Sequence, residues 1–124
     1  MFNLTLFIEI MPKLLSACRL TLAIAFFSTF IGVTGGTLLA LAQRSSIKPL
    51  RWLVTAYITL IQGTPMIMQI VFFYFIIKLP FSPIVVAIIA IGLNSCAYIS
   101  QVIRSGISGV HKGEIEAATA LGLT

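Results

Sequence analysis

Residues 20–42 read LTLAIAFFSTFIGVTGGTLLALA and contain no charged side chain. A transmembrane helix needs about 20 predominantly apolar residues, so this stretch is long enough to cross a bilayer. Hydrocarbon offers the backbone no hydrogen-bond partner, and helix is therefore the expected state. The small-residue segment Gly32–Gly36 is suited to close packing against a second helix. The chain is thus predicted to be built around a membrane-spanning helix with a closely packed neighbour.

The rest of the chain has the composition of a membrane protein. Of its 124 residues, 59% are hydrophobic and only 9% are charged, and the mean hydropathy is +1.10. Soluble domains carry about 25% charged residues. Two further uncharged runs, Trp52–Ile77 and Phe81–Ile103, can each span a bilayer. The predicted fold class is an all-α integral membrane protein, one transmembrane domain with three transmembrane helices at about 20–42, 52–77 and 81–103.

The basic residues predict the topology. They are scattered singly through short connections, which argues against a nucleic-acid-binding stripe despite a pI near 9.7. One side of the spans collects five of them: Arg44, Lys48, Arg51, Arg104 and Lys112. The other side has three: Lys13, Arg19 and Lys78. Because cytoplasmic segments are enriched in Lys and Arg, we expect the N-terminus outside and the segment at about 105–124 in the cytoplasm.

The N-terminal part has alternative interpretations. Ala40–Ala42 forms an A-x-A pattern, but the apolar run before it exceeds the roughly 7–15 residues of a cleaved signal peptide, so an uncleaved span is favoured. Phe2–Leu15 combines apolar residues with Glu9 and Lys13, and is interpreted either as an interfacial helix on the outer surface or as a frayed terminus.

Nothing in the sequence indicates covalent chemistry. There is no G-x-x-x-x-G-K-[ST] loop and no nucleophile–base constellation, and neither a catalytic nor a metal site is expected. Cys18 and Cys96 lie outside C-x-x-C and His-rich contexts and are interpreted as small packing residues. His111 is a single loop histidine.

Polar residues interrupt the second and third spans. Gly63 and Pro65 predict a kink in the second span, since proline cannot donate to the carbonyl four residues earlier. The amides and hydroxyl beside this kink are Gln62, Thr64 and Gln69. In the third span, helical spacing places three polar side chains on one face: Asn94, Tyr98 and Gln101. These six residues either line a polar translocation pathway or hydrogen-bond neighbouring helices. Arg104 is expected to anchor the cytoplasmic interface.

The last twenty residues are expected to leave the membrane. Gly106, Gly109 and Gly113 make the segment turn-rich, and Glu114 or Glu116 is expected to begin a short helix. Its small apolar surface, which can enter a groove on another protein, is formed by Ala117, Ala118, Ala120 and Leu121. Gly122 is expected to let the chain turn out of the helix. The alternative is a surface linker leading to a further span.

Ordered motifs from Arg19 to Gly122 resemble the permease subunits of bacterial polar amino acid ABC importers, the group of histidine, glutamine and arginine permeases. The motifs are Arg19-Leu20-Thr21-Leu22, Gln62-Gly63-Thr64-Pro65, Met68-Gln69, Phe72-Phe73-Tyr74-Phe75, Ala97-Tyr98-Ile99-Ser100-Gln101, Arg104-Ser105-Gly106-Ile107 and Lys112-Gly113-Glu114-Ile115-Glu116-Ala117-Ala118 with Gly122. The last motif matches the E-A-A-x-x-x-G segment of such permeases.

The resemblance implies a multi-pass subunit of the bacterial inner membrane that moves an amino acid inward. Two permease subunits, as a homo- or heterodimer, form the pathway. An extracytoplasmic binding protein delivers the amino acid, and two ATPase subunits bind ATP and Mg beneath the membrane. The permease itself would bind no cofactor. The residues implied to dock on the ATPase are Glu116, Ala117, Ala118, Leu121 and Gly122.

The chain departs from the family pattern in three residues and in length. The family often has Arg at the position of Gln62, Glu at that of Gln101 and Gln at that of Glu114. Its members usually continue with I-x-L-P and two further spans, five in all, so this chain is expected to be a partial domain. Little transport is expected if it is the whole protein. The alternative functions are a non-transporting membrane protein that only assembles with partners, and a membrane-embedded enzyme, which the absence of catalytic groups disfavours.

Overall fold

The computed structural model describes residues 4–123, and the regular structure in this range is helical throughout. The helices are α1 (Leu4–Gln43), α2 (Lys48–Gln62), α3 (Met66–Val71), α4 (Pro83–Ser108) and α5 (Lys112–Ala120). A π-helical segment, Phe72–Ile76, continues α3. Helices α1 and α4 are each long and apolar enough to cross a membrane, and α2 with α3 and the π-helical segment forms a third, bent candidate. The expected all-α class is confirmed.

Helix α1 extends well beyond the predicted first span. With 40 residues it is about 60 Å long, twice the thickness of the hydrocarbon core. Residues 4–15 continue this helix without a break, so the frayed terminus considered for Phe2–Leu15 is wrong within the described residues. The interfacial position of this segment stays a prediction, and Phe2 and Asn3 lie outside the described residues. The joining residues Leu14–Leu20 contain no Gly or Pro, and their Leu, Ala and Arg favour helix.

Glycines bring α1 and α4 into close contact. A Cβ atom added at Gly32 would lie 2.6 Å from Cβ of Ser95, and one added at Gly36 would lie 2.9 Å from Cβ of Ile99. On the other helix, a Cβ at Gly92 would meet the Ile31 side chain at 2.9 Å. Since real Cβ atoms essentially never approach so closely, these positions admit only glycine at this helix separation. The predicted close packing of Gly32–Gly36 is confirmed.

Two side chains tie α1 and α4 together and define their relative direction. The Ser28 hydroxyl donates to the Ile88 carbonyl at 3.3 Å, and the Cys96 thiol donates to the Ile31 carbonyl at the same distance. The residue numbers of the contacting positions increase in the same direction along both helices, so α1 and α4 are parallel. Cys96 is a packing residue, as expected, whereas Cys18 is exposed and is not packed by the described part of the chain.

Helix α2 packs antiparallel to α4 and forms the apolar core with it. This core consists of Val54, Ile58 and Ile61 from α2 and Ala97 from α4. At its edge the Tyr57 hydroxyl donates to the Leu93 carbonyl at 2.8 Å. A tyrosine buried in an apolar site needs such a partner for its hydroxyl.

The second predicted span is broken rather than kinked. It begins at Lys48, four residues before Trp52, and its two helical parts, Lys48–Gln62 and Met66–Ile76, meet at 104°. Pro65 precedes α3 with extended backbone angles, φ −58° and ψ 135°. The break lies at the residues where the sequence predicts a kink, and the change of direction there is larger than that of a kinked helix. Three consecutive non-helical residues allow a much larger change in direction than a proline inside a continuous helix does.

Gln69 supplies the hydrogen bonds that the break removes. Its side-chain nitrogen donates to the carbonyls of Ile61 at 2.9 Å and Thr64 at 3.0 Å. Pro65 has no N–H to offer Ile61, so this amide takes over the missing helical donor. Gln69 is only 5% exposed. The bend is thus stabilised by a side chain from the segment that follows it.

We predict that the substitution Gly36→Ala destabilises the α1–α4 pair by about 1–3 kcal/mol, because its methyl group would overpack against Ile99. SDS titration of the micelle-bound chain, followed by far-UV circular dichroism, measures the shift. Gly106→Ala is the matched control, since a Cβ atom there meets nothing within 4 Å. The close contact is refuted if both variants are at least as stable as the wild type.

We also predict that Gln69→Met destabilises the fold by about 1–3 kcal/mol, since the Thr64 carbonyl loses its donor and the Ile61 carbonyl keeps only the Thr64 backbone N–H, at 3.2 Å. The matched control is Gln62→Met, which changes an exposed amide at the same break. The same titration compares the two. Equal stability of the two variants would show that the Gln69 amide does not hold the bend.

Candidate functional site

The segment expected to be cytoplasmic is more helical than its glycines suggest. Helix α4 continues through Gly106 to Ser108, and Gly109 closes it by donating its backbone N–H to the Ser105 carbonyl at 2.9 Å. After a connection of three residues, α5 begins at Lys112 and includes Gly113. The expected start at Glu114 or Glu116 is therefore late, and only Gly109 of the three glycines separates helices. Glu114 lies in the first turn of α5, where a negative charge is favourable.

Gly122 ends α5 in the predicted way. Its φ is +76°, a conformation that side-chain-bearing residues rarely adopt. The N–H of Gly122 donates to the Thr119 carbonyl and that of Leu123 to the Ala118 carbonyl, both at 3.0 Å. This pair of bonds is a Schellman motif, which satisfies carbonyls that the helix end leaves free.

Helix α5 packs against no other helix of the described chain. Ile115 is 56% exposed and Leu121 is 79% exposed, while Ala118 between them is half-buried. These three residues follow one another at intervals of three, so they share one apolar face. Glu116 and Ala117 are also exposed. The expected coupling residues therefore lie together on α5 and the two residues that end it, and no other helix of the described chain covers them.

The polar residues near the break have different environments. Gln62 is exposed, whereas Thr64 is half-buried and its hydroxyl donates to the Leu60 carbonyl at 2.8 Å. Thr64 and Gln69 line the same mainly apolar groove of about 410 Å³ between α2, α3 and the π-helical segment. The Gln69 nitrogen is engaged at the bend, but its oxygen has no hydrogen-bond partner within residues 4–123. The structure brings Thr64 and Gln69 together and leaves Gln62 apart.

The three polar residues of α4 lie on a face that the described chain does not cover fully. Tyr98 is 50% exposed, and Asn94 and Gln101 are half-buried. None of these side chains makes a hydrogen bond within residues 4–123. By contrast, Ser100 on the same helix is fully buried and donates to the Ala97 carbonyl at 2.7 Å. The described chain therefore contains no neighbouring helix that forms hydrogen bonds with these three residues.

A basic groove at one end of the bundle was not anticipated as a site. It measures about 630 Å³, and its lining residues are Gln43, Lys48, Pro49, Arg51, Trp52, Thr55 and Arg104. Gln43 is 6% exposed, and neither polar atom of its side chain has a partner in the described structure. Sequence reasoning connects the three basic residues only with topology, and it does not single out Gln43, because an amide at the end of a span is common. No group of three or more potential metal ligands occurs among residues 4–123.

Comparisons with known proteins identify the family. A family model described as "Binding-protein-dependent transport system inner membrane component" matches residues 32–124. A probable amino-acid ABC transporter permease, YckA of Bacillus subtilis, is 40% identical and is aligned over 99% of this chain and 56% of its own length. The arginine transport system permease ArtQ of Bacillus subtilis is 35% identical, over 90% of this chain and 53% of its own length.

The glutamate/aspartate import permease GltK of Escherichia coli O6:H1 is 32% identical, over 99% of this chain and 60% of its own. Among solved structures, a crystal structure of an amino acid ABC transporter with histidines matches with a TM-score of 0.87 and 31% identity. That match covers 100% of this chain and 59% of the other.

The chain thus spans between half and two thirds of the length of these relatives, which are amino acid ABC transporter permeases. The family match covers most of the chain, and the fold likeness extends over all of it. The resemblance expected from the motifs is confirmed: the chain belongs to the family of inner membrane components of binding-protein-dependent transport systems.

Proposed function

We propose that the chain is a permease subunit of an ATP-dependent amino acid uptake system in the bacterial inner membrane. It forms part of the translocation pathway and couples to an ATPase subunit. The observation that carries this proposal is α5, a defined helix with Glu116, Ala117 and Ala118 and a Schellman end, but without a partner in the described chain.

The coupling role follows from the energetics of a short helix. Isolated helices of fewer than about 12–15 residues are marginal in water, and α5 has nine residues. Its face of Ile115, Ala118 and Leu121 must therefore be buried against another molecule for α5 to be stable. Alanines permit close approach to a shallow groove, and the family relationship supplies an ATPase subunit as the partner.

The connection between α5 and the membrane is short enough to transmit movement. Three residues separate α5 from α4, and α4 is continuous from Pro83 to Ser108. At about 39 Å it is longer than the hydrocarbon core, so its last turns project from the membrane. Because α4 is packed closely on α1, a displacement of α5 would tilt the two helices together. Such a tilt would switch the translocation pathway between a state open to the outside and a state open to the cytoplasm.

The translocation pathway is assigned to the polar face of α4 and the broken helix. Asn94, Tyr98 and Gln101 have no hydrogen-bond partners in the described chain, which is costly in hydrocarbon and acceptable in a water-filled pathway. The proposed pathway continues at the break in the second span, where its polar groups are Gln62, Thr64 and the free oxygen of Gln69. Amides and hydroxyls suit the ammonium and carboxylate groups of an amino acid.

The proposed topology places the N-terminus outside and α5 in the cytoplasm. Lys48, Arg51 and Arg104 line one groove at one end of the helices, together with the last residue of α1. Basic residues collect on the cytoplasmic side of membrane proteins. The same orientation gives α5 access to a cytoplasmic ATPase.

The proposed assembly follows from the family. A second permease subunit, identical or different, completes the pathway, and an extracytoplasmic binding protein delivers the amino acid. ATP and Mg are bound by the ATPase, and the permease binds no cofactor.

We predict that Glu116→Lys lowers co-purification of the co-expressed cognate ATPase at least tenfold, since the charge at the contact is reversed. Glu114→Lys is the control on the same helix, with the same change in charge. It is expected to lower co-purification less, because its main effect is the loss of about 0.3–1 kcal/mol at the helix N-terminus. If the Glu116→Lys variant co-purified as much ATPase as the wild type, the coupling role would be contradicted.

We predict that Gln101→Leu lowers ATP-driven uptake of the amino acid at least tenfold without changing ATPase co-purification. The substitution removes the polar group that would contact the substrate but leaves α5 untouched. Vesicles containing the assembled transporter measure uptake. The neighbouring Val102→Leu is the control, because Val102 is 71% exposed and stays apolar. Unchanged uptake by Gln101→Leu would remove this residue from the pathway, and absence of uptake in the unmodified assembly would favour a non-transporting assembly role.

A further inference from the structure

We infer that the groove between the ends of α1, α2 and α4 binds the phosphate headgroup of an anionic lipid. The groove has three basic side chains in its lining: Lys48, Arg51 and Arg104. None of the three acidic residues of the chain lines it. It therefore presents positive charge at the level where the apolar spans meet water, and basic pockets between transmembrane helices suit anionic headgroups.

A buried amide points to a ligand rather than to a merely solvated basic surface. Gln43 is 94% buried, yet both Nε2 and Oε1 are without hydrogen-bond partners. A buried unpaired polar group costs about 1–3 kcal/mol, so such groups are normally satisfied. Its –NH₂ group can donate to a phosphate oxygen in the groove that it lines.

The start of α2 adds backbone donors to the same groove. Ile47 precedes the helix without a side-chain cap. Of the first-turn residues that line the groove, Lys48 has a backbone N–H to donate, whereas Pro49 has none. The free N–H groups at a helix N-terminus favour a phosphate, and their partial positive charge adds to that of the side chains. Three kinds of donor thus converge on one space: basic side chains, an unpartnered amide and the first turn of a helix.

A lipid fits this groove better than a free anion because of its apolar border. Trp52 lines the groove and is 77% exposed, and the adjacent Leu53 is 65% exposed. Tryptophan is enriched at the headgroup level of bilayers, where its ring contacts both acyl chains and water. A bound phosphatidylglycerol would place its phosphate among the basic residues and its acyl chains along α2. The inference requires only that the helices cross a membrane and does not depend on transport.

The single tryptophan of the chain provides a local test. The chain is reconstituted in phosphatidylcholine vesicles, and Trp52 fluorescence is quenched with phosphatidylglycerol or phosphatidylcholine brominated on the acyl chains. We expect a relative binding constant at least threefold in favour of phosphatidylglycerol. Equal quenching by the two lipids would overturn the inference.

Two pairs of substitutions distinguish lipid binding in the groove from a general attraction due to the net charge of the chain. Lys48→Gln combined with Arg51→Gln should abolish the preference, since each basic residue near an anionic surface contributes about fivefold. Lys78→Gln combined with Lys112→Gln removes the same charge away from the groove and should retain the preference. If both pairs lose the preference equally, the attraction is a property of the whole chain, and the site is disproved.

Gln43→Leu tests the amide, and inorganic phosphate tests the source of the anion. If Gln43 binds the headgroup, the leucine variant loses preference for phosphatidylglycerol while its SDS stability is maintained, because an unpaired buried amide has been removed. Retained preference would contradict a role for Gln43 in binding. If inorganic phosphate abolishes the preference and chloride at equal ionic strength does not, the groove is a free-anion site and the lipid assignment is wrong.

Discussion

The structure depends on satisfying backbone hydrogen bonds where water is absent. Helices do this along α1 and α4, but the break between α2 and α3 leaves carbonyls without helical donors. Gln69 resolves the problem with two hydrogen bonds to Ile61 and Thr64, at 2.9 and 3.0 Å. The broken helix is therefore possible because a side chain six residues after Gly63 returns to it. Without this amide, the 104° bend would expose unpaired backbone to hydrocarbon.

Packing between the spans is also governed by the membrane environment. Lipid is as apolar as leucine, so helices gain little by burying large side chains against one another, and close contact becomes more important. Gly32, Gly36 and Gly92 provide this contact between α1 and α4. Large residues such as Phe26 and Phe30 instead face outward, at 68% and 64% exposure. An apolar surface of this kind would be an anomaly in a soluble domain and is expected in a span.

The sequence predicts features that depend on local chemistry and misses those that depend on contacts across the molecule. The spans, the glycine contact and the end of α5 at Gly122 follow from residue type alone. The continuation of α1 to Leu4 and the early start of α5 do not, because Pro12 and Gly113 lie inside these helices although both residue types usually favour helix ends. The role of Gln69 was ambiguous for another reason: an amide in a span has the same appearance in sequence whether it caps a bend or lines a pathway.

Hydrogen bonding within the chain provides a physical criterion that distinguishes polar residues with a packing role from those that line a pathway. Ser28 and Ser100 donate to carbonyls and are nearly inaccessible, so packing explains them. Gln43 and Asn94 have no hydrogen bond within residues 4–123; Gln43 is buried, whereas Asn94 is half-buried and its amide remains partly accessible. Because an unpaired polar group in such surroundings is costly, its persistence requires a partner that the described chain does not provide. This argument supports the two proposals made for these residues: Asn94 at the substrate route or against another subunit, and Gln43 in the basic groove.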